Sequence, residues 1–586
     1  MRSVARLPFK LVAQQFSSRL ISAEAQLPQT NVSKPEWSIW SKALLAAPPT
    51  ILAGWIVLSD EPQRRARVAY NVPLRVVRDA VAVISIASDY KFSTSGLEGD
   101  SYAEALKQCH ERSAFKLQKL CFANGGIYIK LGQHVAQLDY ILPIEYVNTM
   151  RDYMLDKCPV SSYKDIAEVI EEDLGRKPEE LFASIEQVPI ASASLAQVHR
   201  AMSHDGRQLA VKVQHVGLRD TCAADTVIVE AFVKGLRWVF PDFNYQWLVD
   251  ELKESVPKEL DFKLEAANSK RCQANLNSKK SRVKGRVVVP AIEDGMVNHR
   301  VLVMEYVEGI KVTDRAKIQE LGFKPEKVAE LVSRTFNEMV FIHGDVHCDP
   351  HAANLFLRKN SLDGQLQLVL LDHGLYRQIS DSFRKSYALL WQSLIFGDAE
   401  GIKEHSQAMN AGDMYPLFAG MLTNRPWDEV ISKDIDHLYM SGDEEERTSI
   451  QQTSQMFAAQ ITQLLFKVPR VLLLLLKTND CLRSVDLALG EPVNTFVITA
   501  RECSRALTDI RNREQPGIRS KFKGKIDEWH VEYRVTLLRV ASWWALKWAR
   551  WVGKTPKNRR KMRERHSNKL AAPLSAVGGD TVMAHA

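Results

Sequence analysis

Between Ile185 and Gln214 the chain reads IEQVPIASASLAQVHRAMSHDGRQLAVKVQ, an alternation of apolar and polar residues broken by a small-residue turn at 191–194 and by Asp205-Gly206. Strand side chains alternate between faces with period two, and Asp-Gly is a favoured hairpin turn, so the stretch predicts three consecutive antiparallel strands. A long helical region follows, including ELKESVPKELDFKLEAANSKR, and then two more strands, GRVVVP and HRVLVMEYVEG. From about Gly309 to residue 510 the pattern is mainly helical, interrupted by FIHGDVHCDPHAANLFLRK and LQLVLLDHGLY. Strands with one helix first and helices afterwards describe an α+β protein of two lobes, a small β-rich one at 166–310 and a larger α-helical one at 311–510. At 586 residues, with 45% apolar and 25% charged side chains, the chain is long enough for both.

Residues 91–165 are read as a helical extension with breaks near Pro143 and Pro159. At the N-terminus, MRSVARLPFKLVAQQFSSRLISAEA carries Arg2, Arg6, Lys10 and Arg19 before its first acid, Glu24. A basic, acid-poor, amphipathic start is how mitochondrial targeting segments read, so residues 1–35 are assigned to one and the mitochondrion, at its inner membrane, is the expected location. Residues 36–90 form a membrane-proximal segment. Within it Ala43–Leu58 is a run of sixteen uncharged residues with Pro48 and Pro49 at its middle and Trp37, Trp40 and Trp55 nearby. A spanning helix needs about 20 residues, so a single pass, a re-entrant anchor and a buried helix all stay open.

Charge is unevenly placed. The whole chain carries +8, yet residues 511–566 hold 17 Lys/Arg against 5 Asp/Glu, which leaves the rest mildly acidic. In this tail Trp544, Trp548 and Trp551 recur at i, i+4, i+7 beside Lys547, Arg550 and Lys554. An apolar helix face edged with bases suits anionic membrane lipid; a terminal helix docked on the core is the alternative. No nucleic-acid-reading motif accompanies the charge, so nucleic acid is not an expected partner. Residues beyond 566 read as disordered. Eight scattered cysteines without a C-x-x-C pair suggest neither a disulfide framework nor a cysteine-based zinc site.

Lys212 lies in LAVKV, on the third strand of the opening stretch. A lysine on a half-buried strand needs an anionic partner, and Glu265 on a following helix is the candidate. With the turn Ala191, Ser192, Ala193, Ser194 one hairpin earlier, this is how kinases hold the α- and β-phosphates of ATP. Asp349 precedes Asn354 by five positions, and Asp372 follows in VLLDHGLY. Phosphoryl transfer needs a carboxylate beside the accepting hydroxyl and oxygen ligands for magnesium: Asp349 suits the first role, Asn354 and Asp372 the second. HCDPHAAN keeps the Asp-to-Asn interval of H-R-D-x-x-x-x-N, and DHG stands where D-F-G would. Glu305 and Val307, where the last strand of the small lobe ends, are further candidate nucleotide contacts. A competing reading is a zinc cage of His343, His347 and His351 with Asp345 or Asp349. Pro350 breaks the helix such a cage needs, and the cage leaves Lys212 and Asp372 unexplained. In a milder reading these histidines orient the loop by hydrogen bonds.

YIKLGQ at 128–133, IASASLAQVHRA at 190–201, LAVKVQ at 209–214, ELDFKLEAAN at 259–268, HCDPHAAN at 347–354 and LLDHG at 370–374 resemble the UbiB-type, or aarF-domain-containing, atypical kinases in order over roughly residues 100–400. LLDHGLY is similar to the form found in the animal members numbered one and five. The resemblance implies a protein-kinase-like fold with a helical extension over the active site. It places K-x-G-Q on Lys130, Gly132 and Gln133, and implies that Lys130 meets the first acid of E-x-D, here Glu259 and Asp261. On the residues themselves, Lys130, Gln133 and Gln137 share a helix face and Gly132 permits close approach. Asp261 and Glu265 would share a face of one helix with Glu259 pointing elsewhere, so that a single helix would serve both lysines.

Where kinases use G-x-G-x-x-G, an alanine Cβ here narrows the approach of backbone N–H groups to phosphate. The family's alanine-rich loop is tied by the resemblance to disfavouring ordinary protein phosphorylation. Ser192 departs from the fuller alanine run, and Ala352-Ala353 replaces the usual Pro-Gly ahead of Asn354. The expected function is therefore phosphoryl transfer or ATP hydrolysis dependent on ATP and Mg2+, and the resemblance implies a link to mitochondrial lipid or coenzyme Q homeostasis. Anionic membrane lipid and a lipid or prenyl-quinone-related small molecule are the expected partners. A membrane-bound nucleotide-sensing pseudokinase scaffold is the alternative from another class. An aminoglycoside-type small-molecule kinase is a third, which leaves K-x-G-Q and E-x-D unexplained.

Overall fold

The computed structural model describes residues 62–551 other than 137–141, 155–157, 159, 241–244, 432–463, 465–466 and 491–492. The expected targeting segment, the run 43–58, Gln137, Pro159 and the stretch beyond 566 lie outside the described residues. Contacts divide the chain after Ala69, and of the first unit only the opening turns of the first described helix are described.

That helix, α1 (Pro62–Ser93), runs through the boundary drawn at residue 90. Helices α2 (Gly99–Asn124), α3 (Ile127–Val135) and α4 (Ile144–Met154) follow. The first three helices are joined at a buried carboxylate, Asp79 of α1, which accepts from Asn124 Nδ2 of α2 at 2.9 Å and from the Tyr128 hydroxyl of α3. Burial pushes the Asp79 carboxyl up to about 6. Between α2 and α3, Gly126 has φ +53, and a Cβ there would sit 2.7 Å from Leu218 Cδ1. Only glycine lets the chain turn so close to its neighbour.

The small lobe opens with α5 (Tyr163–Leu174), whose first turn is capped by the Ser162 side chain accepting from the Asp165 amide. Strands β1 (Ser184–Ile185), β2 (Ala191–Ser192), β3 (Ala196–Met202) and β4 (Gln208–Gln214) run antiparallel, with Gly206 at φ +82 in the expected hairpin. Helices α6 (Leu218–Val239), α7 (Gln246–Glu259) and α8 (Phe262–Leu276) precede β5 (Val287–Val288), β6 (Ile292–Val297), β7 (Val301–Glu305) and β8 (Ile310–Lys311). The small sheet has the order β1-β3-β4-β7-β6, with β2 added to β3.

Two strands differ from the sequence reading. GRVVVP does not join the small sheet: β5 pairs in parallel with a strand of the large lobe. In its place IEDGMV forms β6, with a register shift between Ile292 and Val297. Charged residues and a glycine are how an edge strand avoids further pairing, and they make it read as a loop.

Period two decides which side of the sheet each residue serves. Val211, Val213, Val301 and Val303 pack against Ile166, Val169 and Ile170 of α5. Ala210, Leu302 and Met304 pack against Phe262 and Ala266 of α8. Lys212 belongs to the second face, so its ammonium is delivered to α8.

In the large lobe α9 (Pro325–Asn337) runs into a π-helical turn, Glu338–His343. Strands β9 (Asp345–His347), β10 (Leu355–Lys359), β11 (Leu366–Leu370) and β12 (Tyr376–Gln378) carry the loops of interest, with a 3₁₀ turn at Ala352–Asn354. β12 pairs with β9, and β5-β11-β10-β8 form a second sheet. Helices α10 (Asp381–Phe396), α11 (Arg470–Leu489), α12 (Thr495–Glu514) and α13 (Ile518–Trp551) complete the lobe around a core that includes Phe341, Tyr387, Leu390, Leu475 and Cys503. The α+β, two-lobe architecture expected from the strand and helix order is the one observed. No described helix is long and apolar enough to cross a membrane.

Candidate active site

Three lysines from three distant parts of the chain converge on the cleft. Lys212 Nζ lies 2.6 Å from Glu265 Oε1 and 3.6 Å from Asp372 Oδ2, with its ammonium over the Phe262 ring. Burial opposes the charged form of Lys212, but Asp372 and Glu265 outweigh it and hold the ammonium above the ordinary lysine range. Burial lifts the Glu265 carboxyl to about 7 although Lys212 pulls the other way. Against burial, Lys212 and the Gly374 amide, 2.8 Å from Asp372 Oδ1, hold Asp372 low.

Lys130 Nζ lies 2.6 Å from Glu259 Oε2 and 3.7 Å from Asp349 Oδ2. The E-x-D residues are not on one helix, as the sequence reading had it. Glu259 is the last residue of α7, Leu260 turns the chain, and Asp261 caps α8 by accepting from the Lys263 amide at 3.1 Å. An aspartate prefers that cap to a helix interior, which is why the helical pattern breaks at it. Asp261 Oδ1 is also 3.0 Å from His299 Nδ1. Two helices meeting at Leu260 serve the two lysines. Gln133 turns away from Lys130 and donates to the Met154 carbonyl at 3.2 Å. Gly132 faces α4 so closely that a Cβ would lie 2.9 Å from Met154 Cγ.

The third lysine, Lys477 of α11, approaches Asp349 Oδ1 at 3.3 Å. Against burial, Lys477 and Lys130 together hold Asp349 far below the ordinary carboxylate range. The sequence reading missed Lys477. Its signal was there: it is the charged residue that ends the apolar run Val471–Leu476.

Asn354 and Asp372 are brought together by the backbone, because the Leu371 amide donates to the Asn354 carbonyl at 3.1 Å. The Asp372 side chain is 39% exposed, at the open side of the cleft. Two protein oxygen donors with solvent access fit magnesium, which keeps several waters and takes its remaining ligands from substrate phosphates. The zinc cage falls away. His343 ends the π-helical turn, His347 is on β9 and His351 caps the 3₁₀ turn. Among the described residues no group of three or more His, Cys, Asp or Glu could hold a metal ion. Instead His347 Nδ1 accepts from the Asp349 amide at 3.1 Å and His351 Nδ1 from the Ala353 amide at 3.2 Å, so these two rings shape the loop.

The Ala191–Ser194 segment is a closed turn. The Ile190 amide donates to Val198 and the Ala193 amide to Ala196, both at 2.8 Å, and Ser194 is buried. Gln197 is fully buried and pins the backbone of Ser161 by two hydrogen bonds, at 2.8 and 3.2 Å, which assigns it to the fold. Glu305 falls on the Val301–Val303 face of β7, opposite to Lys212, and its carboxylate accepts from the Ala291 amide at 3.3 Å. A nucleotide contact at Glu305 would therefore be made by the backbone; Val307 lies half-buried just beyond the strand.

A small sheet whose buried lysine is held by a helix glutamate, facing an Asp-x-x-x-x-Asn loop and an acidic turn after β11, defines a protein-kinase-like protein. Residues 153–406 match the ABC1 atypical kinase-like domain. The chain is 46% identical to an ABC1 protein of Arabidopsis thaliana, over 84% of this chain and 94% of that one. It is 39% identical to AarF domain-containing protein kinase 1 of Mus musculus, over 82% and 90%, and 34% identical to an ABC1 family MCP2 homolog of Schizosaccharomyces pombe, over 85% and 88%. The chain belongs to the ABC1, or AarF domain-containing, family of atypical kinases.

Proposed function

We propose that this protein uses Mg-ATP to transfer a phosphoryl group to a non-protein acceptor, or to hydrolyse ATP, at a mitochondrial membrane surface in the service of lipid or coenzyme Q homeostasis. The observation that carries the reading is the buried Lys212, bound to Glu265 at 2.6 Å and within 3.6 Å of Asp372. In that reading Lys212 binds the α- and β-phosphates, Asp349 orients the acceptor hydroxyl, and Asn354 and Asp372 hold magnesium. Magnesium, when bound, neutralises charge on the phosphate oxygens. A non-protein acceptor is supported by Lys130, which reaches Asp349 from α3 and covers the carboxylate that a protein side chain would have to approach.

The membrane part of the reading is supported by α13. One side of this helix is fastened to α12 by the ion pairs Arg511–Asp527 and Arg501–Glu532. Another side exposes Phe522, Ile526, Trp529, Tyr533, Leu537 and Trp544, with exposed Lys523, Lys525 and Arg534 beside them. A long apolar stripe edged with bases matches an anionic bilayer surface. The mitochondrial location is carried by the basic, acid-poor N-terminus.

A second reading, a nucleotide-sensing scaffold without turnover, is favoured by the two lysines that already occupy Asp349. ATP turnover by the full chain, with and without anionic liposomes, separates the two. Turnover that rises with liposomes and vanishes in both Asp349→Asn and Asp372→Ala supports the enzyme. Mg-ATP binding without turnover under either condition supports the scaffold, and wild-type turnover in Asp372→Ala refutes the site assignment.

A further inference from the structure

Lys477 stands apart from the other two cleft lysines in how it is held. Lys130 and Lys212 each have a carboxylate of their own at 2.6 Å, Glu259 and Glu265, in addition to a longer contact with an acidic residue of the cleft. Among the described residues, the one ion pair of Lys477 is with Asp349, at 3.3 Å. Its side chain is only 12% exposed, on a helix face shared with buried Leu474 and Cys481. A buried ammonium costs several kcal/mol unless an anion compensates it. One carboxylate at this distance is a minimal partner, and it leaves the ammonium able to take a second anion without breaking a close pair.

The surroundings show unfilled polar capacity. Beyond its ion pair with Lys477, Asp349 Oδ1 makes no hydrogen bond; Glu259 Oε1 and His134 Nε2 are buried with no hydrogen-bond partner, and so are both oxygens of Glu251 on α7. Buried polar atoms without partners mark places where water or a polar ligand completes the network. Glu251 also lies within electrostatic range of Lys477, so the competing role for this lysine is that of a structural counterion to Glu251. The loop itself has no permanent cation in the two positions after Asp349: these are Pro350 and His351, and the His351 ring is turned to the Ala353 amide.

We propose that Lys477 is a catalytic residue that steadies Asp349 and contacts the terminal phosphoryl group of the bound nucleoside triphosphate. The inference rests on the phosphotransferase reading and adds a group to it. In transfer, the acceptor oxygen bonds to the γ-phosphorus while the bond from that phosphorus to the β-bridging oxygen breaks, its electron pair leaving on the diphosphate. The acceptor proton passes to Asp349, and Lys477 stays protonated throughout. Charge on the moving phosphoryl oxygens is what a fixed cation in a desolvated site stabilises.

The test uses the full chain as wild type, Lys477→Met and Lys477→Arg, with affinities for Mg-ADP and for a non-hydrolysable Mg-ATP analogue measured beside turnover. Lys477→Met should keep its ADP affinity and lose about tenfold or more on the triphosphate analogue, the scale of one hydrogen bond between charged groups. Turnover should fall about 100-fold, and Lys477→Arg should recover part of both. A counterion to Glu251 alone would lower the melting midpoint and shift both nucleotides together, which overturns the proposal, as does unchanged discrimination between them. If wild type turns over and Asp349→Asn does not, while Lys477→Met matches wild type, the general reading stands and the role of Lys477 falls. If wild type discriminates between the nucleotides through Lys477 yet never turns over, the phosphate contact stands and the phosphotransferase reading falls.

Discussion

Replacing Lys212 with methionine keeps the length of the side chain and removes its ammonium. Glu265, whose side chain is 3% exposed, then loses its partner at 2.6 Å. Removing one member of a buried pair costs about 3–5 kcal/mol when the other charge stays buried and ionised. A carboxyl has an escape, because it can take up a proton. With Lys212 present, the Glu265 carboxyl already stands at about 7 against an ordinary 4.5. A folded-state value above the unfolded one means that the folded protein holds the extra proton, so this group contributes less to stability as pH rises from the unfolded value through the folded one. Without Lys212 that upper limit moves further up, and the loss continues to higher pH. At about 1.4 kcal/mol per pH unit, the two proteins lose stability in parallel up to about pH 7 and diverge above it, so the gap between Lys212→Met and wild type should widen by up to about 2 kcal/mol between about pH 5.5 and pH 8.5. Urea unfolding at the two pH values measures the gap, and Glu265→Gln in the Lys212→Met background should remove its pH dependence. Equal losses at both pH values, or a slope that survives in the double variant, would refute the reasoning.

Gly132→Ala gains about 1 kcal/mol of helix propensity and incurs about 1–3 kcal/mol of overpacking against Met154. Its urea midpoint should drop slightly, and Met154→Ala in the same background should erase the part due to the clash. Glu338 is fully buried and accepts from the Ser281 hydroxyl and the Arg282 amide, each at 2.7 Å, with Arg505 at 3.3 Å. Glu338→Ala should cost about 3 kcal/mol in the same assay; a loss below 1 kcal/mol would show that the network adds little to stability. Trp529→Asp on α13 should weaken co-sedimentation with anionic vesicles without moving the melting midpoint, and unchanged sedimentation would count against the membrane reading of that helix.

The parts of this fold that could be read from sequence are those set by local geometry. The 196–214 hairpin was legible because a two-residue period and an Asp-Gly turn leave one arrangement, and the same period fixes the face on which Lys212 lies. The Asp349-to-Asn354 interval was legible because both residues belong to one short loop. What escaped depends on partners far away in the chain. GRVVVP has the composition of a strand, but only tertiary packing decides that β5 joins the large lobe and β6 takes the small-lobe edge. The break at Leu260 was hidden because Asp261 is read equally as a helix residue and as a cap. Lys477 was passed over because no local pattern tells that α11 carries it to a loop more than a hundred residues earlier. The role of Gln197 has no local signal for a similar reason: its partner, Ser161, lies in the loop ahead of α5.

The corner at Leu260 has a consequence for how the two ends of the cleft communicate. The end of α7 is tied to the extension through Lys130 and Glu259, and the start of α8 carries Glu265, which grips Lys212 one turn on. A ligand that lifts Lys130 off Glu259 changes the anchoring of that corner, and reciprocity requires that a nucleotide at Lys212 change the ease of lifting by the same factor. In the proposed phosphotransfer, the K-x-G-Q helix would act as a tethered competitor for the acceptor side of the cleft, present at an effective concentration set by the chain itself. An acceptor would have to win against that intramolecular occupant, and the bound nucleotide would help decide the outcome.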